Sequence, residues 1–296
     1  MKLGGKRNLP SSSNSQRTAL ITGASSGFGL LTAVTLARRG WHVLATMRDL
    51  SRREKLEAAA QVAGVLDRIE FLALNVTDNE QIAAVAASVA VRPGPLHAVV
   101  NNAGFAMAGF ADDVSDAELR SQFDTNFFGA TAVTWAFLPQ LRRQGFGHIV
   151  MVSSGSGRMG FPGVSSYVAS KFALEGWAET LRLEMTPLGI QVALVEPGAF
   201  ETDIWTRNAL ISAGTRDAAS PNAARVSRWR KRMEANTRRK ADAQVVADAI
   251  ARLVESPRPP LRTVLGGDAK LGVLLRALLP WSLFEHLMIK GAGLAD

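Results

Sequence analysis

Short apolar runs rich in β-forming residues alternate with helical patterns along most of this 296-residue chain. The runs that we predict to be strands are residues 19–22, 42–46, 69–74, 96–100, 148–153, 191–195 and 263–265. Alternating strands and helices are typical of βαβ units, which place their strands parallel in one sheet with helices on both faces. The pattern therefore predicts an α/β fold with a doubly wound parallel sheet of about seven strands.

Helical patterns occupy the segments between most of these strands. They cover residues 28–39, 82–91, 116–143 and 165–184. No linker or internal repeat divides the sequence, so we predict a single domain over residues 18–296. Residues 203–240 contain no clear strand, and we expect a helical insertion that closes over a site. Residues 268–290 are predicted to form an apolar helical tail.

The net charge of +8 is concentrated in two segments. Residues 1–17 are basic and polar, and we expect a disordered extension. Residues 204–240 carry ten basic residues against two acidic ones, and Trp229 is the only aromatic residue interleaved with them. Single-strand nucleic-acid sites usually combine basic residues with several stacking aromatics. We therefore predict a solvated helix face with a general attraction for anions, and no nucleic-acid partner.

Several classes of site and location are disfavoured by composition. The chain has no cysteine, which excludes disulfides, and its four histidines are scattered, so no metal site is expected. A polar stretch follows the basic start where a signal peptide would have an apolar core. No uninterrupted apolar run approaches the roughly 20 residues that span a bilayer. We expect a cytoplasmic protein.

The C-terminal tail allows two interpretations. Its apolar stretch from Leu271 to Ile289 is interrupted by Arg276, Pro280 and Glu285. It could attach peripherally to a membrane, helped by the nearby basic residues. It could instead be a terminal helix pair that packs on the core or at a subunit contact, which is the interpretation we favour.

A glycine-rich turn connects the first predicted strand to the first predicted helix. It reads Thr22-Gly23-Ala24-Ser25-Ser26-Gly27-Phe28-Gly29. In a Rossmann-type fold, Gly23 allows the tight turn, Gly27 lets the backbone approach a pyrophosphate, and Gly29 permits close packing of helix on strand. The helix N-terminus then faces the negative charge. The alternative, an ordinary structural turn, is disfavoured by this placement between strand and helix.

The end of the second strand distinguishes between two dinucleotides. An NAD site usually has a carboxylate there for the ribose hydroxyl, whereas an NADP site has a cation for the 2′-phosphate. Thr46 and Met47 are not acidic, and Arg48 follows them. An arginine can bind phosphate with two hydrogen bonds. We therefore predict NADP(H) in preference to NAD(H), although Asp49 could reach a ribose if the strand ends later.

Tyr167 and Lys171 lie four residues apart, thirteen residues after Ser154. This spacing places the phenol and the ammonium on one face of a helix. A nearby cation favours phenolate and is expected to lower the pKa of Tyr167 from its ordinary value of about 10. Tyr167 is then a candidate general acid/base, and Ser154 can donate a hydrogen bond to a substrate oxygen.

From about Thr18 to Thr202 these motifs resemble the short-chain dehydrogenase/reductase family. Ser154, Tyr167 and Lys171 match its catalytic set, and the glycine turn matches its cofactor loop. The resemblance implies a catalytic role for Asn126, which would hold a water in a proton relay to Lys171. It also implies cofactor contacts from Ser25, Ser26, Phe28, Asn75, Val76, Asn102, Ala103, Gly104, Pro197, Gly198 and Thr202. Asn75 departs from the pattern, since many members have aspartate there, next to the adenine.

The segments 45–50 and 171–176 are similar to the branch that contains 17-beta-hydroxysteroid and retinol dehydrogenases. That branch implies hydride transfer between the nicotinamide and a lipophilic alcohol, ketone or aldehyde, and a homodimer or homotetramer. A lipophilic substrate also suits the apolar residues expected near the site. These are Phe105, Met107, Phe161, Val164, Phe200 and Trp205.

Two alternative functions remain at this point. An epimerase or dehydratase on the same fold would keep the cofactor and return the hydride, but such proteins often have a different glycine spacing. A non-catalytic NADP-binding regulatory protein would be expected to lack part of the Ser154, Tyr167 and Lys171 set, which is intact here.

Overall fold

The computed structural model describes residues 16–201, 209–236 and 241–294. Its strands are β1 Thr18–Ile21, β2 His42–Met47, β3 Ile69–Ala73, β4 Leu96–Asn101, β5 Ala106–Ala108, β6 Gly147–Val152, β7 Ile190–Pro197, β8 Ala209–Ile211 and β9 Arg262–Leu265. Seven of them form a parallel sheet in the order β3-β2-β1-β4-β6-β7-β9, and β5 pairs with β8 in a separate parallel pair. The predicted doubly wound α/β fold is confirmed.

Helices pack on both faces of the main sheet. The helices of the described residues are α1 Gly27–Arg38, α2 Glu54–Val62, α3 Asn79–Ala90, α4 Asp116–Phe123, α5 Gly129–Gln144, α6 Ser165–Met185, α7 Ala213–Arg216, α8 Ala223–Asn236, α9 Gln244–Glu255, α10 Gly267–Leu278 and α11 Trp281–Gly291. Among the helices of the described ranges, none is both long and apolar enough to cross a bilayer.

Two hydrophobic cores sandwich the sheet because successive strand residues point to opposite faces. Ile21 packs in the core that includes side chains of α1, α2 and α9. Its neighbour Leu20 packs in the other core, with side chains of α3, α5 and α6. Both side chains are fully buried. This arrangement explains why the central strands carry apolar side chains on both faces instead of alternating apolar and polar residues.

The helix predicted over residues 116–143 is interrupted. Ser115 and Glu118 form a capping box at the start of α4. The chain then makes a π-helical turn at Asp124–Phe128 before α5 begins. An extra residue in a helical turn re-aims the side chains around it and is frequent at functional sites. Here the turn contains Asn126, which is buried.

The prediction that residues 203–240 contain no strand is wrong. Residues 209–211 form β8, whose register pairs Ala106 with Ala209 and Ala108 with Ile211. A three-residue strand is too short to show an alternating pattern, so the sequence gives no signal for it. Helices α7 and α8 follow, in agreement with the predicted helical insertion.

The sequence predicts a disordered extension at the start of the chain and an apolar helical tail at its end. Residues 1–15 lie outside the described residues. Arg17, which we assigned to the extension, is anchored, because its guanidinium lies 3.4 Å from Glu255 and 4.7 Å from the ring centre of Trp41. In the tail, α10 buries Ala269 and α11 buries Phe284, while most of their large apolar side chains are exposed.

Candidate active site

A cavity of about 500 Å³ opens at the carboxyl ends of the strands, where the sheet order changes direction between β1 and β4. In open α/β sheets this crevice is where ligands bind. The predicted residues that line it are Gly23, Ser25, Ser26, Gly27, Phe28, Arg48, Asn75, Val76, Asn102, Ala103, Gly104, Phe105, Ser154, Tyr167, Lys171, Pro197, Gly198 and Phe200.

Five of the predicted residues that the structure describes are not part of this lining. Gly29, Asn126, Met107, Phe161 and Val164 are absent from the cavity wall among the described residues. Val164 and Phe161 pack instead in a small apolar cluster around Tyr167. Thr202 and Trp205 lie outside the described residues.

The glycine loop has the conformation that close approach of a phosphate requires. Gly23 and Gly27 adopt φ values of 68° and 55°, the left-handed region that glycine tolerates best. A Cβ on Gly29 would overlap the carbonyl oxygen of Gly23 and lie 2.5 Å from Nδ2 of Asn102. The first turn of α1 carries no acidic residue, so its N–H groups can face an anion. The loop therefore fits a dinucleotide pyrophosphate.

Asn102 ties the loop after β4 to the glycine loop. Its Nδ2 donates to the carbonyl oxygens of Thr22 at 2.9 Å and Gly23 at 3.1 Å. In return, Thr22 Oγ1 accepts hydrogen bonds from the backbone N–H groups of Asn102 and Ala103, both at 3.0 Å. These four hydrogen bonds fix both walls of the crevice. They explain structurally why an asparagine stands directly after β4.

The end of β2 presents a cation to the cavity. Thr46 and Met47 are buried, whereas Arg48 is exposed and lines the crevice. Asp49 caps the following turn, since its Oδ1 accepts the N–H of Ser51 at 2.9 Å. Hydrogen bonds from Ser51 lower the pKa of the Asp49 carboxyl. Arg52, which the sequence reasoning did not assign to the site, lines the same cavity.

Asn75 and Val76 lie on the opposite wall, after β3. The Asn75 side-chain oxygen accepts hydrogen bonds from the backbone N–H and the hydroxyl of Thr77, at 3.3 and 3.0 Å. Asn75 thus holds its own turn together through a neutral side chain. Leu74 and Thr77 complete this wall.

Ser154 and Tyr167 converge in the cavity from two different elements. Ser154 follows β6, where its Oγ accepts the N–H of Ser156 at 3.1 Å and donates to the carbonyl of Pro197 at 3.4 Å. Tyr167 lies in the first turn of α6 and forms a side-chain hydrogen bond with Ser154. The tyrosine is only 3% exposed. The two hydroxyls therefore share one small region of the cavity wall.

Burial controls the proton affinity of the tyrosine and the lysine. It raises the pKa of Tyr167 to about 12, against the hydrogen bond with Ser154. It lowers the pKa of Lys171 to about 8, against the negative charge of Glu175. The predicted lowering of the Tyr167 pKa is therefore wrong for this structure, because burial outweighs the lowering effect of the Ser154 hydrogen bond. At neutral pH the phenol is protonated and Lys171 is charged.

Asn126 lies just behind the cavity wall. Its Oδ1 accepts the N–H of Phe105 at 3.1 Å, and its Nδ2 donates to the carbonyl of Phe105 at 3.0 Å and to Ser170 Oγ at 3.2 Å. Ser170 Oγ donates to the carbonyl oxygen of Tyr167 at 2.7 Å. Asn126 thereby links the loop beneath the cavity to the helix that carries Tyr167 and Lys171.

Several lining residues were missed by the sequence reasoning. They are Met47, Arg52, Leu74, Thr77, Ser121, Thr125, Val152, Ser153 and Leu210. Leu210 lies in β8, and no local pattern indicated that this strand would meet the cavity. Among the described residues, no three His, Asp or Glu side chains are grouped to hold a metal ion.

The cavity combines a glycine loop, at the switch point of a parallel sheet, with a serine, a tyrosine and a lysine. Together these features define a nicotinamide-dependent oxidoreductase. A sequence model of the short chain dehydrogenase family matches residues 17–210. The chain belongs to this family. It is thus an enzyme that acts on CH–OH or C=O groups with a nicotinamide dinucleotide, and the predicted family is confirmed.

Curated relatives cover most of the chain. The chain is 41% identical over 282 residues to the uncharacterized oxidoreductase YusZ of Bacillus subtilis (strain 168), covering 93% of this chain and 98% of the relative. It is 37% identical over 256 residues to retinol dehydrogenase 8 of Homo sapiens, covering 83% and 80%. It is 38% identical over 187 residues to human 17-beta-hydroxysteroid dehydrogenase type 1, covering 62% and 56%.

Solved structures share the fold. A short-chain dehydrogenase from Streptomyces avermitilis is 36% identical, with a TM-score of 0.78 over 92% of this chain and 96% of that chain. An alcohol dehydrogenase from the archaeon Thermococcus sibiricus, complexed with 5-hydroxy-NADP, is 25% identical, with a TM-score of 0.67 and coverages of 85% and 96%. A short chain dehydrogenase/reductase from Burkholderia phymatum, in complex with NAD, is 25% identical, with a TM-score of 0.75 and coverages of 88% and 93%.

Proposed function

We propose that this enzyme transfers a hydride between NADP(H) and a lipophilic secondary alcohol or ketone, or an aldehyde, with Tyr167 as the general acid/base. The observation that carries this proposal is the meeting of the Tyr167 and Ser154 hydroxyls in the cavity that the glycine loop lines. A proton donor and an orienting hydroxyl at one point suit a carbonyl oxygen that becomes an alcohol.

The bound nicotinamide would supply or accept the hydride. In the reduction direction, Ser154 donates a hydrogen bond to the substrate oxygen and holds it in place. Tyr167 then delivers its proton to that oxygen, for which the raised pKa keeps the phenol protonated. In the oxidation direction the proton returns to Tyr167, whose phenolate must first form beside Lys171.

Lys171 and Asn126 support this proton transfer in the proposal. The Lys171 nitrogen donates to the carbonyl oxygen of Val152 at 2.9 Å, which fixes it on the tyrosine side of α6. Its charge stabilises the phenolate that Tyr167 becomes when it gives up its proton. Asn126 lies one hydrogen bond from Ser170, on the helix that carries Lys171, and would hold a water that passes the replacement proton to Lys171.

The preference for NADP(H) is supported by Arg48. It lines the crevice at the end of β2, where the preceding side chains are buried and neutral. The neighbouring carboxylate of Asp49 is occupied as a cap on Ser51. A guanidinium at this position favours a 2′-phosphate over a ribose hydroxyl. Because similar solved structures hold either an NADP or an NAD cofactor, this proposal rests on Arg48 rather than on the comparisons.

A lipophilic substrate is supported by the apolar part of the cavity. Phe105, Phe200 and Leu210 line the same cavity as Tyr167. Such a wall suits an apolar substrate held by a few polar groups. The named relatives that act on retinol and on hydroxysteroids lead to the same substrate class.

The segment around β8 and α8 is proposed to act as a lid over the substrate. Leu210 of β8 reaches the cavity, and the Trp229 ring of α8 lies against Gly163 and Phe110. Both contacts connect the insertion to loops beside Tyr167. Closure of such a segment would exclude water from the reacting atoms.

A homodimer is proposed through the outer faces of α5 and α6. Trp135 is 60% exposed and packs edge-to-face on Trp177, with ring centres 6.4 Å apart. Phe128, at the start of α5, and Phe172, in α6, are also exposed. Exposed aromatic residues in one region are typical of protein interfaces. We expect a dimer or a tetramer built from this contact.

Most large apolar side chains of the C-terminal helices are exposed rather than packed on the core, so these helices are proposed to contact an anionic membrane surface, in place of the packing role that the sequence favoured. Their exposed large apolar residues are Leu271, Leu274, Leu278, Trp281, Leu283, Leu287 and Ile289. Arg232 of α8 donates to the carbonyl of Gly291 at 3.2 Å, which places a basic helix directly beside α11. Apolar and basic side chains together suit a bilayer with anionic headgroups. A bilayer also concentrates lipophilic substrates.

The reaction is tested by following NADPH oxidation at 340 nm with steroid ketones, retinal and aliphatic aldehydes. We expect turnover with at least one lipophilic carbonyl and slower turnover with NADH. Tight NADPH binding without turnover of any carbonyl or alcohol would contradict the proposal. No observation on the described residues favours an epimerase, a dehydratase or a non-catalytic binding protein.

A further inference from the structure

Two carboxyl groups are buried on α6 and β7, and the one on α6 follows Lys171 along the helix. Glu175 lies one helical turn after Lys171 on α6, and Glu196 lies in β7. Their side chains are 5% and 0% exposed. Glutamates are rarely buried unless they are paired, and nothing in the proposed chemistry uses either residue directly.

Arg262 of β9 bridges the two carboxyls. Its Nε lies 3.0 Å from Oε2 of Glu175 and 3.4 Å from Oε1 of Glu196. Arg158, after β6, places its Nη1 3.3 Å from the same Glu196 oxygen. The other oxygens, Glu175 Oε1 and Glu196 Oε2, accept no hydrogen bond of standard geometry from the described residues.

Burial raises the pKa of both carboxyls, and that of Glu196 rises to about 7. The charge of Glu175 contributes to the rise at Glu196. Hydrogen bonds from Ser153 and Arg262 oppose the rise in the pKa of Glu175, and the charges of Arg158 and Arg262 oppose the rise at Glu196. Of the two carboxyls, Glu175 has the closer contact with Arg262.

The charge of Glu175 acts on Lys171. Burial lowers the pKa of the lysine, and Glu175 is the nearby charge that opposes this lowering. Four residues of helix place the two side chains on the same face. The other charged groups packed around the pair are Arg158, Arg262 and Glu179, while Asp268 of α10 is engaged by the N–H of Ala199 at 2.7 Å.

We propose that Glu175 is a positioning residue of this active site: its carboxylate, anchored by Arg262, keeps the buried Lys171 nitrogen charged. This inference rests on the proposed function, in which the charge of Lys171 stabilises the tyrosine after proton transfer. It adds a buried carboxylate to the serine, tyrosine and lysine set.

The test is the titration of Lys171 in the full chain, followed by NMR on lysine labelled with ¹³C at Cε and assigned with Lys171→Arg. Glu175→Gln removes the negative charge, so the midpoint should move to lower pH by about one unit or more. Glu179→Gln is the matched control, because Glu179 pairs with Arg262 at 2.5 Å but is 53% exposed and lies a further turn away. Its midpoint should equal that of the wild type.

A Lys171 midpoint that is unchanged in Glu175→Gln, or displaced equally in Glu179→Gln, would overturn the inference. Thermal melting establishes that each variant is folded. If Glu175→Gln does not fold, Glu175→Asp is titrated instead, because aspartate is one methylene shorter and holds its charge farther from Lys171. Its midpoint should move down by a smaller amount, and no movement would overturn the inference.

The pH dependence of kcat/KM for carbonyl reduction provides a second measurement. The alkaline limb should move to lower pH in Glu175→Gln and stay in place in Glu179→Gln, whereas a purely structural role would lower the rate at all pH values. A wild type without turnover would contradict the proposed function, and the NMR titration would still decide the inference.

Discussion

The Lys171 nitrogen lies 5.8 Å from the centre of the Tyr167 ring, and both side chains are buried. The lysine is thus close enough to stabilise a phenolate and too deep to be strongly solvated. Burial acts oppositely on the two groups, because it penalises the phenolate in one case and the ammonium in the other. Tyr167 therefore releases its proton only when the substrate oxygen accepts it.

The pH dependence of reduction should follow Lys171. The pKa of Lys171 is lowered to about 8, so the charged form is present below that pH and lost as the pH rises through it. Tyr167 stays protonated over the same range. We expect kcat/KM, which reports the free enzyme, to be constant below about pH 7 and to fall about tenfold per unit well above pH 8. A profile that rises through this range would contradict the account.

Arg48→Ala should discriminate between the two cofactors. Loss of a charged hydrogen bond to the 2′-phosphate costs about 1.5–3 kcal/mol, so KM for NADPH should rise about tenfold or more. KM for NADH should change little. Arg53→Ala is the control, because Arg53 pairs with Glu57 away from the cavity. Equal effects on both cofactors, or none on NADPH, would contradict the role of Arg48.

Trp135→Asp should dissociate the proposed dimer. The side chain is 60% exposed in the single chain, so the substitution places a charge in the contact without opening a core cavity. Size-exclusion chromatography with light scattering should show the mass falling to that of one chain. Val62→Asp, at a 91% exposed position on α2, should leave the mass unchanged. A wild type that is already a monomer would refute the proposal.

Leu274→Asp combined with Leu278→Asp should weaken membrane binding. Both residues are exposed on α10, on the proposed apolar surface. We expect the wild type to sediment with phosphatidylserine-containing vesicles, less so at high salt, and the double variant to stay in solution. Trp135→Asp serves as the reciprocal control and should sediment like the wild type. Equal sedimentation of the double variant, or no binding by the wild type, would rule out this surface.

The sequence predicts those parts of the fold in which local pattern and tertiary structure agree. Strands β1 to β4 and helix α6 end within three residues of their predicted bounds, because apolar periodicity and glycine placement determine them. Helices α2 and α9 were missed. The π-helical turn at Asp124–Phe128 was also missed, since a continuous helical pattern hides a single extra residue.

The candidate site likewise contains residues that the sequence predicts and residues that only the folded structure reveals. The glycine loop, Ser154, Tyr167 and Lys171 stand in recognisable spacings, and the structure brings them to one cavity. Leu210 and Arg262 come from distant segments of the chain. The pairing of β8 with β5 brings Leu210 to the site, and the pairing of β9 with β7 brings Arg262 near it. The direction of the Tyr167 pKa shift was mispredicted for a related reason, because burial depends on the whole fold.

The central claim is that Tyr167 is the group that exchanges a proton with the substrate. The most direct measurement compares Tyr167→Phe with the wild type, by NADPH oxidation with an active carbonyl substrate and by NADPH fluorescence titration. The account predicts that turnover falls by about 10²–10⁴-fold, while the Kd for NADPH stays unchanged. Turnover at the wild-type rate, with the variant folded and NADPH bound, would contradict it.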